Sequence, residues 1–132
     1  MKYKKKRSIT LIISAGLAIA YSIYLMVYFG SSFSADSGVE AAGGVIASIF
    51  VTPHMLCVVI GAIFNSVACI NNKRSFALVG LILYAAAAVI FLMYALFLVP
   101  SIILSIIGYV RLKKINQENV IAFTTAIEED LE

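Results

Sequence analysis

The sequence predicts an all-α integral membrane protein: a bundle of four transmembrane helices, both termini in the cytoplasm, with the second helix kinked at Pro53. Three observations predict it. The 132 residues are 62% hydrophobic and 13% charged, where soluble domains hold roughly 45–50% and about 25%. So short a chain buries only about two-thirds of its surface on folding, so the apolar excess needs lipid to face. Finally, all 10 Lys and Arg fall at 2–7, 73–74 and 111–114, where apolar runs end.

The first helix is expected over 9–29, a charge-free stretch behind a basic arm. Twenty-one residues make about 31 Å of helix, close to the ~30 Å hydrocarbon core. A cleaved signal peptide is the rival, with Ala18-Ile19-Ala20 as its cleavage site. The apolar run continues through Tyr21, Ile23, Leu25 and Val27, which favours a span. Residues 30–38 are small and polar and read as a loop with one acid, Asp36.

The second helix is expected over 41–70, with Glu40 at its outer end. Pro53 removes a backbone hydrogen bond and bends a helix; a broken or re-entrant helix is the alternative. Asn71, Asn72, Lys73 and Arg74 make a polar turn. Residues 75–110 then carry no charge, and one helix of that length would span about 54 Å, too long for the core. The chain must fold back, and Pro100 is the punctuation. That places a hairpin at 96–100, a third helix over 75–95 and a fourth over 99–114, with Arg111, Lys113 and Lys114 reaching back to the headgroups.

Residues 115–132 form a polar, acidic tail. Val120, Phe123, Ile127 and Leu131 recur at helical spacing. The tail reads as solvated and partly helical, or as a helix docking on a partner, the membrane surface or the basic arm. Four spans put all three basic clusters on one side, which the positive-inside rule makes the cytoplasm. Basic residues confined to span ends also argue against nucleic acid, which needs a groove-sized basic face. Cys57 and Cys69 stand about 18 Å apart along one helix and cannot pair.

Apart from the thiols and tyrosines, His54 is the one titratable side chain expected clearly within the membrane core. Intramembrane ionisable residues are functional candidates by default, yet a neutral imidazole can simply bond a neighbouring helix. Tyr21 needs a partner for its hydroxyl, and His54 or Ser48 are the candidates. Asn65 reads as interhelical glue beside Ser66. Small residues at i, i+4 (Ser14 with Ala18, Gly16 with Ala20, Gly43 with Ala47, Ala62 with Ser66) are expected to let helices pack closely. No nucleophile, metal or phosphate motif is present, so no catalytic residue, cofactor or metal is expected.

The stretch 94–114, YALFLVPSIILSIIGYVRLKK, resembles the ending of small bacterial four-helix membrane proteins of uncharacterised families: an apolar hairpin with Pro, then Ile/Leu and Gly, then a basic stop. The resemblance implies the four-span architecture and carries no catalytic residues. The expected role is non-enzymatic, through helix–helix contact with a membrane protein partner or a second copy, as in an immunity, accessory or assembly factor. A small oligomeric transporter or channel subunit is the alternative, and a holin-like pore former the second.

Overall fold

The computed structural model describes residues 3–30 and 38–132. The expected loop at 31–37 with Asp36 lies outside them, as does the side chain of Glu40. The described chain is helical: α1 (Ile9–Gly30), α2 (Val39–Asn71), α3 (Arg74–Ile90), a 3₁₀ turn (Leu92–Tyr94) and α4 (Ala95–Leu131). Each helix packs on its neighbours in chain order, and α4 closes on α1. This is a four-helix bundle of up-and-down type. Three helices, α1, α2 and α4, are long and apolar enough to cross a membrane; α3 is apolar but has 17 residues.

One seam per helix holds the bundle together. On α1 the seam runs through Leu11, Ser14, Ala18, Tyr21, Leu25 and Phe29, with Ala15 and Ser22 buried beside it; on α3 it runs through Ala77, Gly80, Tyr84 and Ala87. On α2, Val51, His54, Val58, Asn65, Ala68 and Asn72 are buried, and on α4 Leu98, Ser101, Ser105, Gly108, Leu112 and Asn119. Steps of three and four, or seven as their sum, average about 3.5 residues, the repeat that keeps a stripe facing its partners along gently crossing helices. The opposite faces carry exposed Ile12, Ile19, Val27, Ile46, Ile63, Val89 and Leu96. An apolar exterior around small and polar seam residues is the pattern lipid imposes, because lipid tails leave no hydrophobic drive between helices and packing must supply it.

Two turns differ in kind. Asn72 ends α2 at φ 53°, ψ 30°, a left-handed conformation that Asn tolerates better than other residues with a Cβ. The fold-back is at Phe91–Tyr94 rather than at 96–100. Phe91 breaks the helix at φ −132°, ψ 74°, and the Tyr94 N–H closes on the Phe91 carbonyl at 3.1 Å. The third helix therefore ends at Ile90, not 95, and the fourth starts at Ala95, not 99. Pro100 lies inside α4, where its missing N–H costs one bond to the Leu96 carbonyl. What turns the chain is aromatic packing: the Phe91 and Tyr94 rings stack at 4.7 Å, and Phe29 of α1 meets Tyr94 at 6.0 Å. α2 runs unbroken through Pro53, so the broken-helix alternative does not form.

Residues 115–131 continue α4 without interruption. The basic arm lies on this extension. Lys6 donates its backbone N–H to Asn119 Oδ1 at 2.8 Å, and its carbonyl accepts from Asn119 Nδ2 at 3.0 Å and from Asn72 Nδ2 at 2.7 Å. Asn116 Nδ2 donates to the Asn72 carbonyl at 2.8 Å. The Tyr3 ring meets Phe123 edge-on at 5.8 Å, and Lys6 Nζ pairs with Glu118 at 2.9 Å. The arm thus lies against the start of the tail, at Glu118, Asn119 and Phe123, while Val120, Ile121 and Leu131 stay exposed.

Candidate functional site

The bundle interior holds two polar groups on the α2 seam, eleven residues and so about 16 Å apart. The first is His54. Its side chain is fully buried because the seam places position 54 between α1 and α3. Nδ1 lies 2.7 Å from the Ala87 carbonyl and Nε2 lies 2.9 Å from the Tyr21 hydroxyl. A carbonyl only accepts, so Nδ1 carries the proton. In neutral imidazole Nε2 then accepts, and Tyr21 donates. Both ring nitrogens and the phenol are satisfied by one arrangement. Ala87 lies in the last turn of α3, whose carbonyls lack intrahelical donors; there its oxygen also receives the Phe91 N–H at 3.1 Å. His54 thus helps end α3 and fixes the aromatic turn, with Phe91 against its ring at 5.7 Å.

The second group centres on Asn65, also fully buried. Its Nδ2 donates to Ser105 Oγ at 3.1 Å and reaches Ser14 Oγ at 3.5 Å, while Ser105 Oγ lies 3.2 Å from Oδ1. Ser14 donates to the Ser101 carbonyl at 2.7 Å. One asparagine on α2 thereby ties α1 and α4 across the bundle. Tyr84 of α3 is the largest fully buried side chain, and its hydroxyl has no partner of good hydrogen-bond geometry.

The two groups need close helix approach, and three glycines provide it. A Cβ on Gly80 would lie 2.6 Å from Asn65 Oδ1 and 2.9 Å from the Gly61 carbonyl; one on Gly61 would lie 2.8 Å from the Tyr84 ring. A Cβ on Gly108 would lie 2.6 Å from Leu11. So α2 meets α3 at Gly61 and Gly80, and α4 meets α1 at Gly108.

The expected packing pairs divide. Ser14 and Ala18 are buried, Ala62 is buried, and Ala47 is half-buried against the core. Gly16, Ala20 and Gly43 instead face outward, and a Cβ on Gly16 or Gly43 would meet nothing within 4 Å. Each lies one position from a buried residue (Ala15, Tyr21 and Gly44), so these three offer an outward face rather than a contact inside the bundle. Ser66 bonds its own helix at the Ala62 carbonyl and Ser48 bonds Val45, which leaves interhelical work to Asn65 and the Tyr21 hydroxyl to His54. Gly61, Gly80, Ser101, Ser105 and Gly108 were not singled out from sequence. Their signal was available: small residues at three- and four-residue steps in phase with Asn65 and Tyr84.

Arg74 at the start of α3 lies over the Tyr109 ring at 4.5 Å, inside the range for cation–π attraction. The Lys6 ammonium beside Glu118 holds that carboxyl below the usual range. Among the described residues no three His, Cys, Asp or Glu side chains gather as a metal site.

Fold and interior define a class: an all-helical bundle with helices long and apolar enough to cross a membrane, an apolar exterior and a seam that carries buried polar side chains. Comparison with protein-family models, with curated proteins and with solved structures gives no match.

Proposed function

We propose that this is a non-enzymatic multipass protein of the cytoplasmic membrane that acts by contact between its lipid-facing helix surfaces and another membrane protein, in the manner of an immunity, accessory or assembly factor. The observation that carries the reading is the outward register of Gly16 and Ala20. Small residues at i, i+4 on a lipid-facing surface offer a second helix the close approach that drives association in bilayers. Inward-facing polar groups offer little competing chemistry, because His54 uses both ring nitrogens and Asn65 bonds two serines. In this reading α3 with its 3₁₀ turn makes the fourth span, and Pro53 bends α2.

Both termini are assigned to the cytoplasm. Support comes from the bonds joining Lys6, Asn72 and Asn119, which gather all three basic clusters at one end of the bundle. The positive-inside rule makes that end cytoplasmic.

Site-directed photocrosslinking tests the reading. A photoreactive residue at position 16, in native membranes, is expected to give a discrete protein adduct, lost when Ala20 is changed to Leu. Adducts with lipid alone would sink the proposal. Reporters fused after positions 36 and 73 test orientation: outside for the first and inside for the second, with the reverse result overturning it.

A further inference from the structure

Two cavities open along the same α1–α4 seam. At the arm end, a cavity of about 130 Å³ is lined by Arg7, Ser8, Ile9, Thr10, Arg111 and Ile115. Further along, an apolar groove of about 300 Å³ is lined by Leu17, Ala20, Tyr21, Tyr24, Phe97 and Pro100. The lining residues are in phase. On α1, positions 10, 17, 21 and 24 follow one stripe; on α4, positions 97, 100, 111 and 115 do the same. The groove therefore continues the line of the cavity on one side of the bundle.

The cavity's chemistry suits a phosphate. Arg7 and Arg111 come from different elements, and among the described residues neither guanidinium has a carboxylate partner. Guanidinium forks match phosphate oxygens bidentately. Ser8, 2% exposed, shares a hydrogen bond with Thr10 at 2.9 Å; two hydroxyls in one bond leave one proton free to donate. Ile9, 69% exposed, supplies an apolar rim on the lipid side.

Distance then selects the ligand. From Thr10 to Leu17 is about 10 Å of helix, and to Tyr24 about 21 Å. One leaflet of a ~30 Å core is about 15 Å deep. An acyl chain hanging from a phosphate between the two arginines reaches the groove. We propose that this seam binds one anionic phospholipid, its phosphodiester held by Arg7, Arg111 and the Ser8–Thr10 hydroxyls and an acyl chain lying against Leu17, Ala20 and Pro100. Gly16 is not among the groove's lining residues but Ala20 is, so a partner helix on the Gly16–Ala20 face and the lipid would meet at Ala20. The inference needs insertion in a bilayer but not a protein partner.

Native mass spectrometry of the full chain, released from vesicles of equal phosphatidylglycerol and phosphatidylcholine, tests it. The wild-type chain is expected to retain one phosphatidylglycerol. Arg7→Gln with Arg111→Gln is expected to lower retention at least about tenfold, as for losing two charge-assisted contacts. Lys113→Gln with Lys114→Gln removes the same net charge and is expected to retain the lipid. Ala20→Phe fills the groove without changing charge and is expected to weaken retention. Recovery of each variant in the membrane fraction separates failed insertion from failed binding. Equal retention of phosphatidylcholine, equal loss in the lysine control, unchanged retention in Ala20→Phe, or displacement by millimolar inorganic phosphate would each overturn the proposal, the last by pointing to a free-phosphate site.

Discussion

Replacing Gly80 with Ala adds one methyl at the closest approach of α2 and α3. Carbon and oxygen rarely come nearer than about 3.3 Å. The new Cβ would lie 2.6 Å from Asn65 Oδ1 and 2.9 Å from the Gly61 carbonyl, intruding by about 0.7 and 0.4 Å. The Gly61 oxygen is backbone and moves only with α2. Asn65 can turn away only by giving up Ser105. Overpacking of this kind costs about 1–3 kcal/mol, and an interhelical polar bond in a membrane protein adds about 0.6 kcal/mol. The gain in helix propensity from Gly to Ala, about 1 kcal/mol, offsets part of it. The net expectation is a loss of roughly 0.6–2.6 kcal/mol. Gly16→Ala is the matched control, since nothing lies within 4 Å of its added Cβ; it is expected to be neutral or stabilising by up to about 1 kcal/mol. Unfolding of both variants in mixed micelles of rising SDS fraction, followed by circular dichroism, reads the difference. Stabilities of the two within about 0.5 kcal/mol of each other would refute the close-crossing account.

Other expectations concern the polar seam and the arm. His54→Phe loses two hydrogen bonds and leaves the Ala87 carbonyl with the Phe91 N–H alone, so it is expected to destabilise by more than Tyr21→Phe, which loses one bond worth about 0.6 kcal/mol; equal losses in the same unfolding assay would show that the imidazole does not support the end of α3. Asn65→Leu is expected to loosen α4 from α1, read as faster amide exchange around Ser101 and Ser105, and unchanged exchange would contradict its bridging role. The Glu118 carboxyl has a lowered folded-state pKa, so its contribution is present above the ordinary carboxylate range and is lost as pH falls through its own pKa. Arm docking, reported by a fluorophore pair on residues 3 and 123, is therefore expected to weaken on acidification and in high salt; no pH effect, or strengthening, would contradict the Lys6–Glu118 contact. Asn119→Ala removes both bonds to the Lys6 backbone and is expected to release the arm at every pH.

Helical class, three of the membrane-length segments and the polar turn at Asn72 were legible because each rests on composition or on a breaker residue. The second turn was not, because Phe91, Leu92, Met93 and Tyr94 carry no turn chemistry. The proline nine residues beyond Phe91 looked like the break, but a proline near the start of α4 loses only one bond. His54 with Tyr21 followed from the need to satisfy buried polar groups, whereas the choice between Gly16 and Ser14 as the inward side did not. Both positions belong to small-residue pairs of identical spacing, and only the register of α1 against Gly108 and Asn65 distinguishes them.

The bonds between Lys6 and Asn119 join positions 113 residues apart. During synthesis the arm is made well before α4. At ~5–20 residues per second the wait is on the order of 10 s. Until α4 has been threaded and its extension has emerged, the backbone of Lys6 lacks its main partner and the lysines around it are free for anionic headgroups. Closing the arm onto Asn72 and Asn119 is thus a late event in assembly, a latch that can shut only when every helix is in place.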